Sequence, residues 1–324
     1  MFNEILRLVC QVDFVFSIFR ITAPILFAAL AAVVAEKAGV VNIGLDGIML
    51  ISGLFGTLFS YWTQSWFIGV VGAMVIGLLL ALMMGFFALK LKTDIILAGI
   101  AINTMSAGGT IFLLYVFTGE RGNTASLTSS NILIPTVEIP GLSSIPVLGD
   151  ILSGHSVLTY VAFILVFLTW VLLYKTSIGL QIRAVGENDH AADSVGISVL
   201  KIKYIALGIS GILAGMGGSF LSMYYSQSWN TGVVAGRGFI ALAAQAMGHG
   251  EPVGTMFASL LFGFAQALRT KVSGIQGVSS NLISAMPYAV TIIGLVLYAM
   301  STINKAKRKK AQMEKRNANK EEKA

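Results

Sequence analysis

The chain has 324 residues, of which 56% are hydrophobic and only 11% are charged, and its mean hydropathy is +0.81. Soluble domains carry roughly 25% charged residues, so this composition excludes an ordinary soluble protein. The single cysteine, Cys10, excludes an intrachain disulfide.

Long apolar runs recur along the chain and define its fold class. Many reach the roughly 20 residues that a helix needs to cross a bilayer. In lipid every backbone polar group must be bonded within its own segment, so the runs predict an all-α, polytopic transmembrane bundle of eight to ten spans, some of them broken or re-entrant. The predicted spans are 14–35, 67–89, 95–117, 157–174, 204–225, 253–268 and 282–300. A further span begins with the element 36–50 and extends to residue 62, and a shorter piece covers 232–247.

Charge between the runs predicts the topology. Residues 1–303 form the transmembrane domain, and residues 304–324 form a basic tail that contributes +6 of the net charge of +7. The positive-inside rule places this tail, and with it the C-terminus, in the cytoplasm beside anionic lipid headgroups. A nucleic-acid partner is not expected. The acidic, Ser- and Thr-rich segment 118–156 is predicted to be extracellular, and the polar island, defined as residues 175–203, to be cytoplasmic.

Two details of the spans carry expectations. Arg20 lies inside the first run and is expected to reach toward the nearer interface. Gly108 and Gly109 are expected to break the fourth span. If the chain crosses the membrane nine times, Arg269 and Lys271 lie on the extracellular side, which breaks the positive-inside rule locally. The alternative is that the segment 232–247 does not cross the membrane.

An internal repeat is also suggested. The segment 70–93 resembles 252–272, and each follows a glycine-punctuated polar element. In the predicted topology the two copies run in opposite directions, as in transporters built from inverted repeats.

No catalytic or metal site is visible, so we expect neither an enzyme nor a cofactor. No stretch matches G-x-x-x-x-G-K-[ST], the loop that cradles nucleotide phosphates, and there is no H-E-x-x-H zinc motif. The three histidines, His155, His190 and His249, are scattered in predicted loops and turns, where they are expected to be solvated.

Polar residues within apolar runs are the candidates for a translocation pathway. Asn42, Gly44 and Asp46 open the second span; either they mark a broken helix whose backbone lines a cavity, or Asp46 caps a helix at the interface. Arg237 is either an anchor at a helix start or a pathway residue. Asn103 and Gln245 either bind a polar solute or link helices.

The polar island is the most specific part of the sequence. It is predicted to be one compact charged helix between two spans. Residues 179–223, together with 36–50 and 235–252, resemble the permeases of ATP-binding cassette (ABC) importers for branched-chain amino acids, ribose and nucleosides. The order of the apolar runs extends this resemblance over nearly the whole chain. With the segment 142–154, it is most similar to the smaller permease of bacterial nucleoside importers.

The resemblance implies a function and partners. The chain would be a multi-pass permease subunit in a bacterial plasma membrane. It would move nucleosides inward with an ATP-binding subunit, a second and different permease, and an extracellular substrate-binding lipoprotein. The residues matching the family's ATPase-coupling pattern are Arg183, Gly186, Glu187, Asn188, Ala191, Ala192 and Gly196. The two alanines would form a small smooth face, and Arg183 and Glu187 would pair across the contact.

Other transport functions stay open. An ABC permease for simple sugars or for branched-chain amino acids fits the same resemblance. A secondary transporter would instead run on a proton or sodium gradient, with Asp46 as the titrating group. An intramembrane enzyme is a distant third, since no nucleophile and base occur together.

Overall fold

The computed structural model describes residues 12–138 and 148–273, with the isolated positions 296 and 300. The predicted last span at 282–300 and the basic tail therefore lie outside the described residues. The helices are α1 Val12–Lys37, α2 Leu45–Thr63, α3 Trp66–Gly85, α4 Ile95–Thr118, α5 Leu148–Leu152, α6 Val157–Lys175, α7 Ser177–Glu187, α8 Asp189–Ser194, α9 Val199–Phe220, α10 Arg237–Met247 and α11 Pro252–Val272. One π-helical turn extends α3 over Phe86–Lys90 and another extends α9 over Leu221–Tyr225.

The predicted all-α membrane bundle is confirmed. Six helices in the described part of the chain are long and apolar enough to span a bilayer: α1, α2, α3 with its π turn, α4, α6, and α9 with its π turn. The connection between α4 and α6 holds two 3₁₀ turns, Ala125–Leu127 and Ser130–Ile132, and a small antiparallel pairing of β1, Thr136–Val137, with β2, His155–Ser156.

Burial divides the helices into a centre and a periphery. Residues 25–31 of α1 are fully buried, and most of α9 is buried as well, whereas α4 exposes much of its surface. Glycines let α9 approach its neighbours, because a Cβ at Gly211 or Gly215 would collide with the backbone of α3 at Gly77 or Ala73. Close backbone contact of this kind is how helices associate where lipid weakens the hydrophobic effect.

The packing follows an inverted repeat. Helix α9 packs on α2 and α3, while α1 packs on α10 and α11, and α1 and α9 pack on each other. The island end is the end of the bundle where the polar island lies. Helix α1 finishes there, with Lys37 against Gly186, whereas α9 starts there, so the corresponding helices run in opposite directions. The same reversal relates α3 to α11.

Two expectations about the spans need correction or resolution. Helix α4 continues through Gly108 and Gly109, so the predicted break is wrong. A Cβ added at either glycine would have no atom within 4 Å beyond its own stretch of helix. Helix α11 begins beside Lys37 at the island end and later packs Phe264 on Phe14 at the opposite end. The connection through residues 226–236 and α10 therefore does traverse the bundle, and Arg269 lies away from the island.

Candidate functional site

A non-helical segment, residues 38–44, joins α1 to α2, and we call it the break. Asn42 is buried and donates from Nδ2 to the Ser210 hydroxyl of α9 at 2.9 Å, while its Oδ1 has no partner. Gly44 is the N-cap of α2. Helix α4 packs closely on it, because a Cβ at Gly99 would lie 2.9 Å from the backbone nitrogen of Gly44. The break therefore lies inside the bundle, between α4 and α9.

Asn103 of α4 holds both sides of this break. Its Nδ2 donates to the Ile43 carbonyl at 2.9 Å, and its Oδ1 accepts from the Gly47 amide at 2.7 Å. A buried backbone group without a partner costs roughly 1–3 kcal/mol, so these bonds stabilise the interrupted backbone. The geometry favours the helix-linking role for Asn103.

The starts of α2 and α10 meet, although they are far apart in sequence. The Gly238 amide donates to Asp46 Oδ1 at 3.0 Å. A Cβ at Gly238 would lie 2.6 Å from the Asp46 Cα, so only glycine allows this approach. Asp46 thus caps the neighbouring helix α10 instead of its own, and both earlier interpretations of this residue were incomplete.

Arg237 is buried beside this junction. It is 8% exposed, and its Nη1 donates to the carbonyls of Val233 and Val234 at 3.1 Å each, while its Nε has no partner. The guanidinium carbon lies 5.0 Å from the ring centroid of Tyr225. Contacts of this length are cation–π interactions.

Arg20 joins the same ring. Its guanidinium carbon lies 5.5 Å from the centroid of Tyr225, and its Nε is buried without a partner. The Tyr225 ring, in the π turn at the end of α9 away from the island, thus holds the partly exposed side chain of Arg20. We call Arg20, Asp46, Tyr225 and Arg237 the interior cluster.

The segment before α10 is strained and firmly anchored. Trp229 is fully buried and donates from Nε1 to the Leu50 carbonyl of α2 at 3.0 Å. Ala235 has a φ of 49°, in the left-handed region that residues with a side chain rarely adopt. Such strain persists only where surrounding contacts enforce it, and here it precedes Arg237 by two residues.

Gln245 lies apart from the interior cluster. It is buried near the other end of α10, where its carbonyl accepts from the Gly250 amide at 3.0 Å. Of the predicted pathway residues, the structure groups Asn42, Gly44 and Asn103 at the break and Asp46 and Arg237 at the adjoining junction. Gln245 instead belongs to the island end.

The polar island is two helices, so the prediction of one compact helix is wrong. Asn188 separates α7 from α8 in an extended conformation, and its side chain accepts from the Ala191 amide at 3.0 Å. Gly196 ends the second helix with a φ of +83°. Ala191 is exposed whereas Ala192 is 3% exposed, so the predicted pair of alanines offers only Ala191 to a partner.

Gly186 and Arg183 bind the island to the bundle. A Cβ at Gly186 would lie 2.8 Å from the Lys37 carbonyl carbon, so α7 packs directly on the end of α1. Arg183 donates from Nε to the Leu173 carbonyl at 3.0 Å, and its guanidinium carbon lies 4.8 Å from the ring centroid of Tyr174. Within the chain Arg183 therefore faces α6, while Glu187 is exposed.

Glu251, in the turn between α10 and α11, completes this arrangement. The Tyr174 hydroxyl lies 2.6 Å from each carboxylate oxygen of Glu251, and Lys37 Nζ lies 3.3 Å from Oε1. We call Lys37, Tyr174, Arg183 and Glu251 the island-end cluster. It borders a cleft of about 450 Å³ that Glu36, Gly186 and Glu187 also line.

His155 departs from the solvated state expected of a loop histidine. It is 2% exposed, and its ring stacks on Phe16 at a centroid distance of 3.9 Å. Burial lowers the pKa of its imidazole, which keeps the ring neutral near pH 7. No group of three or more His, Cys, Asp or Glu side chains that could hold a metal ion occurs in residues 12–138 and 148–273.

Comparison with known proteins agrees with this architecture. The model of the family described as "Branched-chain amino acid transport system / permease component" matches residues 14–301. The guanosine ABC transporter permease protein NupQ of Bacillus subtilis is 35% identical over 84% of this chain and 88% of that protein. The nucleoside ABC transporter permease protein NupC of Lactococcus lactis is 33% identical over 86% and 89%, respectively.

A third relative has a different named substrate. The putative glucose ABC transporter permease protein TsgC13 of Haloferax volcanii is 31% identical over 76% of this chain and 74% of that protein. The family model covers most of the chain, and the relatives are matched along most of their own length. The chain therefore belongs to the permease components of the branched-chain amino acid transport system family.

Proposed function

We propose that this chain is the membrane subunit of an ABC importer that moves nucleosides across a plasma membrane. The observation that carries the proposal is the match to the permease family over residues 14–301, with nucleoside and guanosine permeases among the relatives at 33–35% identity. ATP hydrolysis then takes place in a partner subunit. The substrate-binding lipoprotein and a second, different permease complete the assembly.

The island is the proposed contact for the ATPase and lies on the cytoplasmic side. The exposed Ala191 on α8 supports this, because a small side chain leaves room for a partner surface. The basic tail, outside the described residues, would share this side. Motion of the island has a direct route into the bundle: Gly186 packs on the end of α1, and Glu251 ties α1 and α6 to the turn that ends α10.

The other end of α10 supports a role in translocation. There Gly238 contacts Asp46, and Arg237 lies buried next to it. A shift of α10 by the island would move this junction, and ATP binding would favour one arrangement over the other. Asp46 accepts from the Gly238 amide at the start of α10, which favours a helix-capping role over that of a proton carrier.

The experiment is uptake of radiolabelled guanosine, uridine and glucose in a deletion strain that carries the complete transporter. We expect nucleoside uptake that persists under a protonophore while ATP is maintained. Ala191→Trp should abolish uptake but leave the subunit folded and the ATPase active. The matched control is Ala125→Trp, an exposed alanine at the opposite end of the bundle. Uptake of glucose alone, or uptake lost with the proton gradient, would contradict the proposal.

A further inference from the structure

The interior cluster carries more positive charge than its surroundings balance. Arg20 and Arg237 both have a buried Nε without a partner. The two ion pairs in the described parts of the chain, Lys37–Glu251 and Lys203–Asp189, lie at the island end and involve neither arginine. Charged groups inside a membrane domain are costly and mark functional sites. These two guanidinium groups therefore call for a function.

Two elements of the chain keep this charge in place without neutralising it. The Tyr225 ring attracts both guanidinium groups through its negative face, at 5.5 and 5.0 Å from its centroid. The charge of Asp46 acts on Arg237 from the start of α2. Arg237 thus faces a carboxylate that already accepts a hydrogen bond from Gly238, and Arg20 contacts the same Tyr225 ring.

We propose that Arg20 and Arg237 form a recognition site for the base of the transported nucleoside and that Tyr225 positions them. The proposal rests on the nucleoside-importer function above. A guanidinium group donates in a fork that fits two adjacent acceptors, and in nucleic acids this fork pairs best with the O6 and N7 of guanine. The site would thus favour 6-oxopurine nucleosides, such as guanosine and inosine, over adenosine, whose 6-amino group is a donor.

The location of the site fits a step in translocation. Arg237 opens α10, whose far end reaches the island-end cluster through the turn at Glu251. Ala235, two residues before Arg237, holds a left-handed backbone with a φ of 49°. A strained segment next to a buried charged side chain is poised to change conformation when a ligand offers new contacts. A nucleoside would thus be read as it passes the meeting point of α2 and α10.

The test compares maximal rates, because the binding lipoprotein governs the concentration dependence of uptake. In the complete transporter at saturating nucleoside, the ratio of guanosine to adenosine rates is measured for wild type, Arg20→Gln, Arg237→Lys and Tyr225→Leu. Each variant should lower this ratio about tenfold or more, the size of one lost bidentate contact. Tyr225→Phe keeps the ring but removes the hydroxyl that acts on Arg237, so the ratio should fall less than in Tyr225→Leu.

The matched control is a second arginine on a tyrosine ring, outside the bundle interior. Arg121 has its guanidinium carbon 5.3 Å from the Tyr115 centroid and is exposed, so Arg121→Gln and Tyr115→Leu should leave the ratio unchanged. Arg20→Lys serves where Arg20→Gln reduces assembly. Equal loss for guanosine and adenosine, or an unchanged ratio in all variants, would overturn the recognition site. A wild-type transporter that moves no nucleoside would instead overturn the proposed function.

Discussion

The interior cluster and the island-end cluster share one structural element in two environments. In both, a guanidinium group lies about 5 Å from a tyrosine ring: Arg237 on Tyr225 and Arg183 on Tyr174. At the island end, Glu251 accepts from Tyr174 and pairs with Lys37, and Glu36 and Glu187 line the same cleft, so acidic groups offset Lys37 and Arg183 in a place partly exposed to water. Inside the bundle no such ion pair forms among the described residues.

The difference between the two clusters suggests a structural role for the charges at the island end and a functional role for those in the interior. An exposed, balanced cluster adds little to stability, since surface ion pairs contribute roughly 0–1 kcal/mol. It can still join helices that must move together. An unbalanced buried cluster is expensive, and its surroundings must enforce it. Perturbing the contacts that fix the interior should therefore cost far more than perturbing the island end.

The largest effect should come from Gly238→Val. A Cβ at this position would lie 2.6 Å from the Asp46 Cα, so valine forces α10 away from the start of α2. Overpacking typically costs about 1–3 kcal/mol, and here it also removes the bond to Asp46. We expect a large loss of folded protein in detergent, measured by thermal unfolding with size-exclusion chromatography. Gly108→Val, where no atom lies near a Cβ, should be tolerated, and equal loss in both variants would contradict this account.

Asn103→Ala should have an intermediate effect. It removes the partners of the Ile43 carbonyl and the Gly47 amide, leaving two interior backbone groups unpaired. We expect destabilisation of about 2–4 kcal/mol, seen as a lower unfolding temperature and reduced uptake. Thr104→Ala is the control, because that exposed side chain bonds only to the Ile100 carbonyl of its own helix. A stable Asn103→Ala variant would show that water replaces the amide at the break.

The contrast between the clusters also marks what the sequence could predict. Apolar runs and the charges between them define spans, since lipid imposes length and hydrogen-bonding rules on every segment. The junction of Asp46 with Gly238 joins residues 192 positions apart, and nothing local to either one predicts it. For the same reason the contact of Arg20 with Tyr225 has no local signal, because the ring comes from the π turn of another helix.

Other features of the fold do have a local signal in the sequence. Asn188 is a favoured N-cap residue, and recognising it as such predicts a new helix at Asp189 and hence two helices in the island. Gly108 and Gly109 illustrate the opposite error. Glycine lowers helix propensity by about 1 kcal/mol in water, but a lipid-exposed backbone must keep its internal hydrogen bonds, so α4 continues.

The smallest effect should come from the island-end pair of Lys37 and Glu251. Lys37→Met, Glu251→Gln and the double variant form a cycle in which we expect a coupling of about 0.5–1 kcal/mol in stability, because Lys37 and Glu251 keep 25% and 48% of their side-chain surface exposed. The ratio of nucleoside moved to ATP hydrolysed should fall further than stability does, since Glu251 ties α1 and α6 to the end of α10. Lys201→Met, an exposed lysine on α9, should change neither quantity. A normal transport ratio in Glu251→Gln would show that motion reaches α10 by another route, such as the packing of α10 on α1.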